Sequence, residues 1–295
     1  MDFLRLLAEH RTPALNVFFQ YITYLGQEYM VIAILFWIYW CRDKLLARAL
    51  AFSFLVSGNL VQVLKLGFRI PRPWVLDPSF KAVDSALSGA TGYSFPSGHS
   101  QSAGSLFGTL FFHAKKVWAK ILFLLLILLI GFSRMYLGCH TPQDVITGMV
   151  TAFICTGLCY HFIYRKKILD GHLTAVTVGL VVISVFVIAF GAVITGMSLS
   201  TEELALDCFK AGGASFGLAI GNYLEQKYVD FTIPESLQQK LLRFIPGTVL
   251  SLLFLVGLKS LIGTSPAASL IRYFVTVLWA LYVYPLLFTK LSHRR

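Results

Sequence analysis

Ile121 to Phe132 read ILFLLLILLIGF, and Val176 to Ile194 read VTVGLVVISVFVIAFGAVI. Neither run carries a charge. Apolar stretches of about 18 or more residues recur along the chain, each long enough to cross a hydrocarbon core of about 30 Å as a helix. Lipid offers a backbone no hydrogen bonds, so such runs close their own, as helices or as a sealed barrel. Barrel strands alternate apolar and polar residues, and these runs do not. The expected fold is therefore all-α, a polytopic helical transmembrane bundle. Only 13% of the 295 residues are charged, against about 25% in soluble domains.

An amphipathic, interfacial segment is expected over 1–27. Spans follow near 28–41, 46–69, 97–113, 117–137, 141–164, 172–197, 203–221, 242–263 and 268–290, eight or nine in all, the first borrowing from the segment before it. The start, MDFLRLLAEHRTP, contains Asp2 and Glu9 and lacks a cleavage site after an apolar core, so it reads as retained rather than as a signal peptide. Cys41, Cys139, Cys155, Cys159 and Cys208 show no metal-ligand spacing, and no disulfide is required. The net charge of +11 is scattered between spans rather than interleaved with aromatics, which argues against nucleic acid and for a positive-inside pattern. Arg42, Lys44 and Arg48, then Lys115, Lys116 and Lys120, then Arg165, Lys166 and Lys167, then Lys227, Lys240 and Arg243, and finally Lys290, Arg294 and Arg295 fall on one side, expected to be cytoplasmic. Thr201–Glu203 and Gly263–Ser269, without a base, fall on the other.

That other side also holds Lys65, Arg69, Arg72, Lys81, His99, Arg134 and His140. Bases on the wrong side of a positive-inside map call for another reason, and an anion supplies one. In KLGFRIPRP (Lys65 to Pro73) a helix ends on cations; alone, these read as side chains snorkelling to the interface. In YSFPSGHSQS (Tyr93 to Ser102) Ser97 is a natural N-cap, and its exposed N–H groups make a ready phosphate site with Gly98 allowing close approach and His99 in the first turn. The plain alternative is a cap followed by an interfacial histidine. In SRMYLGCHTPQD (Ser133 to Asp144) Thr141 and Pro142 open a helix, and Asp144 is either the acidic partner of a capping box or a carboxylate that accepts the imidazole proton of His140. Arg134 is placed to fork onto phosphate oxygens. All three clusters sit at span ends that open to one face.

Lys65 with Arg72-Pro73, then Pro96-Ser97-Gly98-His99, then Ser133-Arg134 with His140 and Asp144, resembles the three-part signature of the type 2 phosphatidic-acid phosphatase family, in order and with its internal spacing. The likeness covers about 45–165. It implies a membrane-bound phosphatase in which His140 is the nucleophile forming a phosphohistidine, Asp144 orients it, and His99 is the general acid. Lys65, Arg72, Arg134, Ser97 and the Gly98 N–H would bind the phosphate oxygens. No metal or other cofactor is implied.

This divides the chain into the N-terminal segment 1–27, a phosphatase core over 28–168, and additional transmembrane helices over 169–295. In the last, Gly213, Gly217 and Gly221 form a small-residue face, for packing within the chain or, in the alternative, for a homo-oligomer. Asp207 and Lys210 read as an ion pair. The expected substrate is a lipid phosphate or diphosphate (phosphatidic acid, phosphatidylglycerophosphate or undecaprenyl diphosphate class) reached among membrane lipids, with the site facing outward from a bacterial inner membrane. A soluble sugar phosphate is the second reading. A non-catalytic anion-binding transporter or scaffold is the third.

Overall fold

Side-chain caps start most of the helices. In a computed structural model that describes residues 1–292, Thr12, Asp43, Ser97, Thr141, Thr201, Ser236 and Ser265 each accept a backbone N–H from the first turn they precede. Arg294 and Arg295 lie outside the described residues. The helices are α1 (Asp2–Glu9), α2 (Pro13–Tyr24), α3 (Glu28–Cys41), α4 (Lys44–Phe68), α5 (Gly98–His113), α6 (Val117–Tyr136), α7 (Pro142–Cys159), α8 (Ile168–Gly196), α9 (Glu202–Tyr228), α10 (Leu237–Ile262), α11 (Pro266–Leu278) and α12 (Tyr284–Ser292). A π-helical turn, Tyr160–Arg165, prolongs α7, and another, Trp279–Val283, joins α11 to α12. Single helical turns, Pro73–Leu76 and Asp84–Leu87, punctuate the long connection between α4 and α5. No strand occurs among the described residues.

Lys44–Leu76, Val117–Tyr136, Pro142–Arg165, Ile168–Gly196, Leu237–Ile262 and Pro266–Leu291 are each long and apolar enough to cross a membrane, and α2 with α3, bent by 42°, make a seventh such unit. The sequence reading of eight or nine spans is larger because it also took in α5 and α9. Both are helical, but α5 is 16 residues long and α9 carries Glu202, Glu203, Asp207, Lys210, Glu225 and Lys227. The physical reason is their position. α5 packs among α4, α6 and α7, and α9 among α4, α8 and α11, so each meets protein where a peripheral helix meets lipid.

Small residues make these central positions tenable. A Cβ on Gly213 or Gly217 would collide with the Leu270 or Phe274 carbonyl, and one on Gly221 would press on Leu281. The glycine face is thus filled by α11 and the turn after it, within the chain. At one end of the bundle a fully buried Glu225 takes Lys44 (2.8 Å) and Arg48, and Asp230 also takes Lys44 (2.8 Å). This ties the start of α4 to the end of α9. The far end of α4 carries Lys65. There the N-terminal segment lies along α6, with Arg11 donating to the carbonyls of Tyr136 (2.9 Å) and Lys81 (2.6 Å) and Arg5 paired with Asp77 (2.6 Å).

Candidate active site

Two helix starts are stitched together at that end. The Ser97 N–H donates to the Asp144 carbonyl at 2.9 Å, joining the turn before α5 to the first turn of α7. The approach is close enough that a Cβ on Gly148 would stand 2.5 Å from the Ser97 carbonyl oxygen. Ser97 caps α5 by accepting from the Ser100 N–H (3.4 Å) and hydroxyl (2.9 Å). Gly98 follows with open space in front of it: a Cβ there would meet nothing within 4 Å. Backbone donors at a helix N-terminus beside open space are what an anion requires.

Thr141 and Asp144 form the capping box, the Thr141 N–H reaching Asp144 Oδ2 at 2.8 Å. The same oxygen accepts the Ser94 hydroxyl at 2.6 Å. His140 stands just outside the helix, and its Nδ1 lies 3.6 Å from Asp144 Oδ2. That exceeds the hydrogen bond expected from the sequence. Four-residue spacing brings side chains together only when both residues are helical, and His140 precedes the cap. Asp144 therefore faces the imidazole while being held by Thr141 and Ser94.

The other ring nitrogen, Nε2, is 2.8 Å from Arg72 Nη1. A guanidinium only donates, so Nε2 is the acceptor and the ring proton sits on Nδ1, toward Asp144. Arg72 also donates to the carbonyls of Gly92 (3.1 Å), Cys139 (3.1 Å) and Thr91. Lys65, in the last turn of α4, donates to the Tyr93 carbonyl at 2.6 Å. Arg134, in the last turn of α6, donates to Thr23 Oγ1 at 2.9 Å, leaving buried Nε and Nη2 without a partner. Lys65, Arg72, Arg134 and His140 are all buried. Among the described residues none of Lys65, Arg72 and Arg134 is in ion-pair contact with a carboxylate. Burial first, then Arg72, Arg134 and Lys65, holds the His140 imidazole well below its usual range, so it is neutral at pH 7.

His99, in the first turn of α5, lies within electrostatic range of Arg134, His140, Arg72 and Lys65. The structure thus gathers Lys65, Arg72, Ser97, Gly98, His99, Arg134, His140 and Asp144 at one end of the bundle. Lys81 points to solvent and stays outside the group. Trp74 packs by the Arg72 guanidinium, 6.0 Å from its ring centroid, and the connection from Val75 to Tyr93 lies across this end, its Val83 N–H bonded to the Leu137 carbonyl (3.0 Å). Ser94 and Thr23 were not singled out from sequence. Ser94 sits inside the YSFPSGHSQS stretch, where a hydroxyl beside an N-cap was the available sign; Thr23 had none.

Residues 46–168 match the PAP2 superfamily, and 209–295 match the PAP2 superfamily phosphatase transmembrane extension. An undecaprenyl-diphosphatase of Sulfolobus acidocaldarius is 28% identical over 50% of this chain and 70% of its own length. The undecaprenyl-diphosphatase BcrC of Bacillus subtilis is 32% identical over 36% of this chain and 53% of its own. A dihydrosphingosine 1-phosphate phosphatase of Saccharomyces cerevisiae is 29% identical over 52% of this chain and 40% of its own.

Proposed function

The chain belongs to the PAP2 superfamily, and from that premise we propose that it hydrolyses a lipid phosphate or diphosphate through a phosphohistidine at His140, on the face of the membrane opposite its basic end. The observation that supports this reading best is the 2.8 Å contact between Arg72 Nη1 and His140 Nε2, a guanidinium beside an imidazole nitrogen that carries no proton.

Substrate phosphate displaces the Arg72 guanidinium from Nε2 and takes its place between Arg72, Lys65, Arg134 and the N–H groups at Ser97 and Gly98. Phosphoryl transfer asks a protein mainly for in-line placement and for stabilised charge on the equatorial oxygens. The cations supply that charge. Nε2 attacks phosphorus, the bond to the lipid oxygen breaks, and His99 gives that oxygen a proton. Asp144 steadies the ring as it gains positive character. Water, deprotonated by His99, then breaks the P–N bond and releases inorganic phosphate. For a diphosphate the leaving group is the lipid monophosphate, and the same groups serve.

The relatives named as acting on undecaprenyl diphosphate and on a sphingoid phosphate support a lipid substrate, as does a site at the tips of membrane-length helices. Outside the stretch between α4 and α5 the connections are short, which supports a bacterial inner membrane with the site facing outward. The test is release of phosphate by detergent-solubilised protein from phosphatidic acid, phosphatidylglycerophosphate, undecaprenyl diphosphate and glucose 6-phosphate, with and without EDTA. Lipid substrates are expected to turn over in both conditions. His140→Ala is expected to abolish turnover and to keep binding inorganic phosphate; a variant with wild-type rate would sink the assignment.

A further inference from the structure

The phosphate-binding cations share one support. Arg72 donates to the carbonyls of Thr91 and Gly92, and Lys65 to the carbonyl of Tyr93, so a run of three successive residues receives both. This short strap has a second side. Thr91 Oγ1 donates to Asp207 Oδ2 at 3.2 Å, and the Tyr93 hydroxyl meets Ser200 Oγ at 3.2 Å. Gly92, at φ +61°, lies flat against the first turn of α9, where an added Cβ would come within 3.7 Å of the Leu204 carbonyl. Asp207 is itself held by Lys210 at 2.7 Å. Ser200, Leu204 and Asp207 come from the connection into α9 and its opening turns, on the C-terminal side of the signature.

We propose that the C-terminal helices position the catalytic cations: α9 anchors the Thr91–Tyr93 strap through Asp207 and Ser200, and the strap aims Arg72 and Lys65. Thr91, Tyr93 and Asp207 are positioning residues, acting on phosphate only through the two cations. Neither cation has a carboxylate partner among the described residues, so their aim depends on where these carbonyls are held. A carbonyl on an unanchored connection drifts, and a guanidinium that follows it leaves Nε2 of His140. The polar pair Asp207–Lys210, carried on a helix packed among α4, α8 and α11, thereby has a task. The inference deepens the proposed phosphatase reading and rests on it for the kinetic arm alone.

The experiment uses the full chain in detergent, with dioctanoyl phosphatidic acid as substrate and calorimetric binding of inorganic phosphate as an independent arm. Thr91→Val combined with Tyr93→Phe removes the anchors and leaves the carbonyls. It is expected to lower kcat/KM by about tenfold and to weaken phosphate binding by a similar factor, with the unfolding midpoint unchanged. Thr91→Ser, which keeps the donor, is expected to match wild type. In an Arg72→Lys background the double change is expected to add only about threefold, because the Lys65 contact alone is left for the strap to steady. Wild-type phosphate affinity in the double variant, or full additivity with Arg72→Lys, would overturn the proposal. A wild-type protein that binds phosphate and hydrolyses no lipid phosphate would instead overturn the phosphatase reading, and the binding arm would still decide the strap.

Discussion

Arg72 and His140, separated by 68 residues in sequence, meet at 2.8 Å between a guanidinium nitrogen and an imidazole nitrogen. On the proposed reading, the contact orients the attacking lone pair and holds a cation where phosphate oxygens arrive. Lysine at position 72 would keep the charge but lose the fork that also reaches Thr91, Gly92 and Cys139. Arg72→Lys is expected to lower kcat by about 10²-fold, read from phosphate release under saturating substrate, in the range of losing one preorganised donor.

Ser94 and Asp144 give a second expectation. The Ser94 hydroxyl at 2.6 Å is one of two donors that hold the carboxylate facing His140. Ser94→Ala frees that oxygen to turn. Turnover should fall by about threefold to tenfold with KM little changed, the loss expected for one ordinary hydrogen bond while Thr141 still holds the same oxygen. An unaltered kcat would show that Thr141 alone is sufficient.

Gly98 and Gly148 separate chemistry from folding. A methyl group on Gly98 meets open space, whereas one on Gly148 meets the Ser97 carbonyl at 2.5 Å. Gly98→Ala is therefore expected to fold with a normal unfolding midpoint and a KM raised by about tenfold or more, since the methyl occupies ground meant for substrate. Gly148→Ala should instead lower the unfolding midpoint, as overpacking commonly costs about 1–3 kcal/mol. Thermal unfolding and kinetics on both variants check the pair.

The pH dependence follows from His140. Burial, then Arg72, Arg134 and Lys65, depresses its basicity, so the folded protein protonates it only below the ordinary value of about 6.5. The acid limb of kcat/KM should accordingly lie below that pH, and Arg72→Gln should shift it upward by removing a repelling charge. The sign for stability is the opposite of a paired histidine. The unfolded chain takes up the proton first, so this group's contribution turns unfavourable as pH falls through about 6.5. A titration of activity and of unfolding midpoint between pH 5 and 8 tests both limbs (approximate bounds, on the order of the reference value).

Much of the site could be read before any coordinates because its members announce themselves locally. Lys65 and Arg134 sit in last helical turns, Ser97 and Thr141 are caps, and Arg72 stands between prolines. Partners across long stretches of chain leave no such mark. Nothing near Thr23 indicates that its hydroxyl serves Arg134, 111 residues away, and nothing near Asp207 indicates Thr91. The difference in span count has a related cause. Hydropathy registers contact with lipid, and α5 and α9 are sheathed by other helices, so length and apolarity understate them. The His140–Asp144 spacing misled in detail because a helical rule was applied one residue ahead of the helix.

Carbonyl oxygens are what Arg72 and Lys65 rest against, and among the described residues no carboxylate pairs with either. A resident counter-ion would have to be evicted at every catalytic cycle and would compete with substrate for the same charge. A neutral oxygen merely lets go. On the proposed reading, cations held this way keep their full attraction for an incoming dianion, and the departing product meets a soft replacement rather than a rival, which suits repeated capture and discharge of phosphate from the same seat.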